Sequence, residues 1–308
     1  MKAIFEKVIM MREFNLCPFN IEGKLDGGES SFELASIDGV ERWLEKPLSN
    51  LQKDALRGEL EEGIFQEIRN GNVANPLIMF DEEHDGVIPI VKVFFNVSNV
   101  LVKFGLAKKT TGISVGLISA DGKILFVRRS MFNGGNKGCP GPVAGFMKHF
   151  HSGQTLEEVI TDNFLEECKH EVGIDPSEIS ELKIFGYLSM ETQDEVMVAV
   201  KTTIDSDEIL GRARENNGET DVSTSKLAEK DVAFATPEQM ISLLSDSEIR
   251  GYDAHLACLL LTAEEAAGVN ATSAWDNLIT LPKQDQKEVY SNLTELMFKY
   301  DIKIDFQA

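Results

Sequence analysis

The sequence predicts an α/β protein, and three stretches carry that reading. Thr111 to Val127 (TGISVGLISADGKILFV) reads as two strands joined by a turn at Asp121-Gly122, a hairpin signal. The run from Leu165 to Gly173 reads as the end of a helix. Leu165, Cys168 and Val172 fall on its apolar side, and Gly173 supplies the left-handed cap that a β-carbon resists. Lys183 to Leu188 and Glu195 to Thr203 then read as further strands.

The other elements follow in chain order. Leu48 to Ile68 carries apolar residues at Leu48, Leu51, Ala55, Leu60, Ile64 and Ile68, near helical spacing, and stops at Asn70-Gly71. Leu77 to Phe80, Ile88 to Phe95 and Val97 to Phe104 read as strands, with a turn from Asp81 to Gly86. Residues 1–108 therefore read as an N-terminal α/β module. Residues 109–268 form the second unit, with a glycine-rich loop from Asn133 to Gly141 after its hairpin. The polar stretch Asp205 to Lys230 reads as an exposed insertion. Thr236-Pro237-Glu238-Gln239 opens a helix, with Thr at the N-cap, Pro at the first helical position and Gln two further on. Tyr252 to Ala267 and Lys283 to Tyr300 read as helices, and residues 269–308 as a C-terminal helical segment.

Composition bounds the function. A chain of 308 residues that is 43% hydrophobic has ample material for a core. The net charge of −21 opposes general binding to nucleic acid or to acidic membranes, because both would repel it. No apolar run approaches the length of a membrane span. Cys17, Cys139, Cys168 and Cys258 are scattered without a C-x-x-C pair, and the first residues, with an early Glu6, lack a secretory cleavage site. Both features point to a reducing cytoplasm.

The chemistry concentrates in Glu166-Glu167-Cys168-Lys169-His170-Glu171-Val172-Gly173-Ile174. Glu167, His170 and Glu171, at i, i+3 and i+4, share about a third of a helix circumference. Like charges at this spacing repel, and a divalent cation turns the repulsion into a ligand set. The run resembles the end of the Nudix box, Gly-x5-Glu-x7-Arg-Glu-U-x-Glu-Glu-x-Gly-U, where U is aliphatic. Glu167 matches the glutamate after the arginine, Glu171 the second paired glutamate, and Gly173-Ile174 the closing pair. Glu166 stands at the arginine position and His170 at the first paired glutamate. Upstream, Gly145 and Ser152-Gly153-Gln154 resemble the box opening, and Gly153 to Gly173 reads as about one helical turn longer than the family norm. The hairpin that ends in Arg128-Arg129-Ser130 is similar to the strand pair before the box, and the resemblance spans Thr110 to Ala263.

The resemblance implies a Nudix fold, a mixed sheet with the box helix packed on it. It implies divalent-metal-dependent hydrolysis of a diphosphate linkage in a nucleotide derivative, with Mg²⁺ or Mn²⁺ as cofactor. Glu167 and Glu171 are the implied catalytic residues and, with His170, the implied metal ligands. An imidazole at that position favours Mn²⁺ over Mg²⁺. Arg128, Arg129 and Lys148, with Lys137, are candidates for the local positive charge that an anionic ligand needs here. Glu191 and Glu195 are both candidate general bases, and spacing does not choose between them. His149 and His151 flank Phe150 in the loop before the box; lone loop histidines read first as surface residues, here within reach of a substrate at the box. In larger Nudix proteins such an N-terminal extension contributes to dimerisation or substrate choice, so a homodimer is the expected assembly. Two alternatives stand. Glu166 and His170 at their positions fit a nucleotide-binding or regulatory module that hydrolyses slowly or not at all. Isopentenyl diphosphate isomerisation, which relies on a cysteine and a tryptophan, ranks last: Cys139 precedes the box, but Trp43 and Trp275 lie outside the Nudix-like segment.

Overall fold

The computed structural model describes residues 16–17, 24–27, 33–70, 77–80, 87–106, 110–129, 138–148, 150–151, 153–189, 194–218, 231–281 and 292–305. Its strands are β1 (Leu16–Cys17), β2 (Lys24–Gly27), β3 (Leu77–Phe80), β4 (Val87–Val93), β5 (Thr111–Ile118) and β6 (Ile124–Arg128), then β7 (Pro140–Gly141), β8 (Val143–Phe146), β9 (Ile179–Ser189), β10 (Asp194–Thr202), β11 (Asp231–Ala235) and β12 (Ile304–Asp305). Its helices are α1 (Ile37–Trp43), α2 (Asn50–Asn70), α3 (Phe95–Lys103), α4 (Leu156–Val172) and α5 (Ser206–Gly218), then α6 (Pro237–Leu244), α7 (Asp253–Ala267), α8 (Thr272–Thr280) and α9 (Leu293–Lys299).

The larger sheet runs β1-β9-β10-β5-β6-β11-β12, with β8 against β5 and β7 against β6. β10 pairs with β5 in parallel, and the other described pairings of this sheet are antiparallel, so the sheet is mixed. All of β5 is buried, as its near-continuous apolar sequence requires of a strand covered on both faces. Side chains alternate between two layers. Ile113, Val115, Leu117, Val196, Val198 and Val200 join the α4 side chains Val159, Ile160, Phe164, Cys168 and Val172 in one core. Ile118 and Met197 join α6, α7, α8 and α9 in another. Helix α7 lies so close to β5 that a β-carbon on Gly116 would stand 1.8 Å from the Thr262 hydroxyl oxygen.

A smaller sheet, β2-β4-β3, packs with α1, α2 and α3 around a third core of Leu34, Leu56, Leu60, Val93 and Val97. This unit is joined to the larger sheet: Ile78 and Ile90 belong to the α4-side core, and the Ile78 amide donates to the Met147 carbonyl at 3.0 Å. Among the described residues no helix is long and apolar enough to cross a membrane.

The hairpin, β3, β9, β10, α6 and α7 form where the sequence suggests. Four expectations are corrected. Val97 to Phe104 is helical, because Val97, Val100, Leu101 and Phe104 lie at helical spacing and bury one face against α2. On α2 the buried positions are Leu56, Leu60, Gly63 and Glu67, whereas Leu51 and Ile68 are exposed. The stretch from Asp205 begins as α5, whose Ile209 and Ala213 enter the core, and residues 219–230 lie outside the described residues. Of the expected Lys283 to Tyr300 helix the structure shows α9, with residues 282–291 outside the described residues, and Trp275 sits in the unforeseen α8, buried against α6 and α7.

Candidate functional site

Helix α4 is well specified at both ends. Thr155 and Glu158 form a reciprocal capping box at its start, and Gly173 ends it with φ of 68°. Counted along this unbroken helix, Glu158 stands eight residues before Glu166, the spacing of the first glutamate in the Nudix pattern. The expected extra turn is therefore absent, and Ser152, outside the described residues, takes the glycine position.

One flank of α4 turns Glu167 toward β8. Glu167 is buried, only 7% exposed, and its carboxyl lies on the backbone of Gly145: a β-carbon there would meet Cδ and Oε1 at 2.2 Å. The Lys148 ammonium stands 3.7 Å from Glu167 Oε1. Lys148 is anchored through its main chain, since its amide donates to Asn163 Oδ1 at 2.7 Å, and Asn163 Nδ2 donates to the Val159 carbonyl at 2.8 Å. Glu171 follows one turn after Glu167 and is half-buried. Burial first, and then the charges of Glu171 and Glu167, push the Cys168 thiol far above its ordinary range.

His170 takes another direction. Its side chain is 64% exposed, and Nε2 lies 3.9 Å from Glu166 Oε1, so these two residues pair on the outer flank. Among the described residues no group of three or more His, Cys, Asp or Glu side chains is arranged to hold a metal ion. Glu167 and Glu171 offer carboxylate oxygens only. Such a pair fits Mg²⁺ or Mn²⁺ in sites where waters and phosphate oxygens complete the shell, and it does not amount to a closed protein cage.

The basic candidates separate. Lys148 lies beside Glu167. The Arg128 guanidinium donates to the Thr294 hydroxyl of α9 at 2.8 Å. Arg129 exchanges backbone hydrogen bonds with Cys139 and Gly138, and its charge acts on Cys139 and on His255 of α7. Burial pushes the Cys139 thiol up to about 12, against the pull of Arg129. Burial, and then Arg129, hold His255 well below the ordinary imidazole range and keep it neutral. Glu195 is 1% exposed and accepts from the Ser114 hydroxyl at 2.6 Å. It shares the face of Met197, under α7, where burial first, and then the Glu195 charge, push the Cys258 thiol up. The sheet thus separates Glu195 from Glu167. His151 is exposed and binds Gln154 through its amide, whereas Glu191, His149 and Lys137 lie outside the described residues.

Asn163 is the residue that sequence reasoning missed. An amide among the apolar positions Val159, Ile160, Phe164 and Cys168 was the available signal, because a buried Asn in a helix needs named partners.

No protein-family model matches the chain, and no curated protein matches it. Among solved structures the chain is similar to the DR0079 protein of Deinococcus radiodurans, at 16% identity and a TM-score of 0.31 over 51% of this chain and 82% of that one. It is also similar to the MutT protein of Methanosarcina mazei Go1, at 13% identity and a TM-score of 0.30 over 52% of this chain and 96% of that one.

Proposed function

We propose that the chain is a Nudix-type protein that acts on a diphosphate linkage in a small nucleotide derivative in the cytoplasm, with hydrolysis as its reaction. The observation that carries this reading is the carboxylate pair of Glu167 and Glu171, at the glycine-capped end of a helix packed on a mixed sheet, with Lys148 beside it. Glu167 and Glu171 would hold Mg²⁺ or Mn²⁺, which supplies neutralisation of phosphate charge and a more acidic bound water.

The remaining work falls to side chains of this chain. Lys148 Nζ donates to a phosphate oxygen as a compact point charge on a flexible stem. Gly145 gives Glu167 its place, and Asn163 fixes the main chain from which Lys148 reaches out. Arg128 and Arg129 are less suited to phosphate than the sequence suggested, since both are engaged toward α7 and α9.

A second reading, a module that binds such a ligand with little or no turnover, is favoured by one observation. Glu166 occupies the position of the box arginine and pairs with His170, which leaves two carboxylates where the family pattern has more. One experiment separates the readings. Nucleoside diphosphate derivatives are incubated with the protein and either ion, while product and melting temperature are followed. Metal-dependent product, lost in Glu171→Gln, supports hydrolysis. A ligand-induced rise in melting temperature without product supports the binding module, and neither signal would remove both.

A further inference from the structure

We propose that Lys148 is a resident cation that competes with divalent metal for Glu167, so that the ligand-free protein holds metal weakly until a phosphate group draws the ammonium away. The inference rests on the proposed function and concerns the regulation of the same site.

Three observations combine. The Lys148 ammonium already stands 3.7 Å from Glu167 Oε1, within ion-pair range. The carboxyl rests against the backbone of Gly145, in the place a β-carbon would take, which restricts its movement on that side. The root of Lys148 cannot swing away, because its amide is tied to Asn163 and through it to α4. Only the four-carbon stem is free to move. A metal ion entering at Glu167 would meet a positive charge at contact distance, and in a partly buried site that repulsion is weakly screened. The other lysine near this helix end, Lys169, is 65% exposed and directed to Asp175 at 3.7 Å, so it does not share this position.

A phosphate oxygen reverses the balance. It offers the ammonium a charged acceptor within reach of the same stem, and it frees Glu167 for the metal. Metal and phosphate then each raise the affinity for the other by the same factor, as linkage requires. The free protein is spared an idle, tightly bound ion.

The test is a Mn²⁺ titration without phosphate, following the signal of free Mn²⁺ by electron paramagnetic resonance. Wild type is compared with Lys148→Met, Lys148→Gln, Lys169→Met and the double variant Lys148→Met/Glu167→Gln, each checked for a cooperative melting transition. Both Lys148 variants should bind Mn²⁺ about tenfold more tightly than wild type, a difference of about 1.4 kcal/mol. Lys169→Met should change little, and the double variant should lose the gain. Equal or weaker binding by both Lys148 variants would overturn the proposal, as would absence of binding in every variant. An equal gain in Lys169→Met would do so too, because net charge alone would then explain it. The proposed function is judged separately by turnover. Hydrolysis without a Mn²⁺ gain in the Lys148 variants leaves that function standing and removes only the competition. A gain in the Lys148 variants with no hydrolysis by wild type does the reverse.

Discussion

Glu167 occupies a space that only glycine leaves open, and this makes Gly145 a sensitive position. In Gly145→Ala the new methyl would overlap the carboxyl, so either Glu167 or β8 must move. The expected cost is about 1–3 kcal/mol of stability from overpacking. The metal-induced rise in melting temperature should be lost as well. Melting curves with and without Mn²⁺ check both, and an unchanged rise would detach Glu167 from the metal. A second residue-scale expectation concerns pH. Burial raises Asp246, but hydrogen bonds from Lys299, Tyr300 and the Glu248 amide outweigh it and draw the carboxyl from 3.8 to about 2. A depressed carboxyl stabilises the fold above its unfolded value, and the contribution fades as pH falls through the folded value. Asp246→Asn should therefore be less stable than wild type at pH 7, with the gap closing between about pH 4 and pH 2. Urea midpoints across that range decide it. At this scale the residue types were legible and their directions were not. Glu167 and Glu171 follow from the run itself, but His170 turns to Glu166 because the helix gives it an outer neighbour at i−4. Lys148 meets Glu167 only because β8 and α4 pack together.

Elements were legible where a local device marks them. Asp121-Gly122, Thr236-Pro237 and Gly173 name their turns and caps, and the structure has them there. Val97 to Phe104 was misread because a short run rich in β-branched residues suits strand or helix, and only the partner, α2, settles it. The same dependence on packing sorts the apolar side of α4. Phe164 is 2% exposed in the core, whereas Leu165 is only partly buried. Phe164→Ala should cost about 3–5 kcal/mol, and Leu165→Ala distinctly less than a fully buried leucine would. Chemical denaturation of the two variants checks this order, and a larger loss at Leu165 would show that α4 is rotated from the orientation described.

Across the whole molecule, the smaller sheet lends Ile78 and Ile90 to the core beneath α4. A chain that begins at Lys109 would lose both side chains and the Ile78–Met147 hydrogen bond. It should melt lower than the full chain or aggregate, and a fragment of equal stability and monodispersity would show the smaller unit to be a mere appendage. Neither this sharing nor the pairing of β10 with β5 was legible, since both join distant stretches for which the sequence has no local sign. The parallel pairing of β10 with β5 also carries a safeguard against misassembly. A slip by one residue would exchange the faces of β10 and carry Glu195 from Ser114 into the valine layer below α4. A carboxyl stranded there without its hydroxyl partner costs about 2–7 kcal/mol even when neutral. Glu195 thus proofreads the alignment of the strand that links the two halves of the sheet. In Glu195→Val the wrong alignment would no longer be rejected, and refolding should split into a correct and a slow, misaligned population; a single refolding phase at the wild-type rate would count against that role.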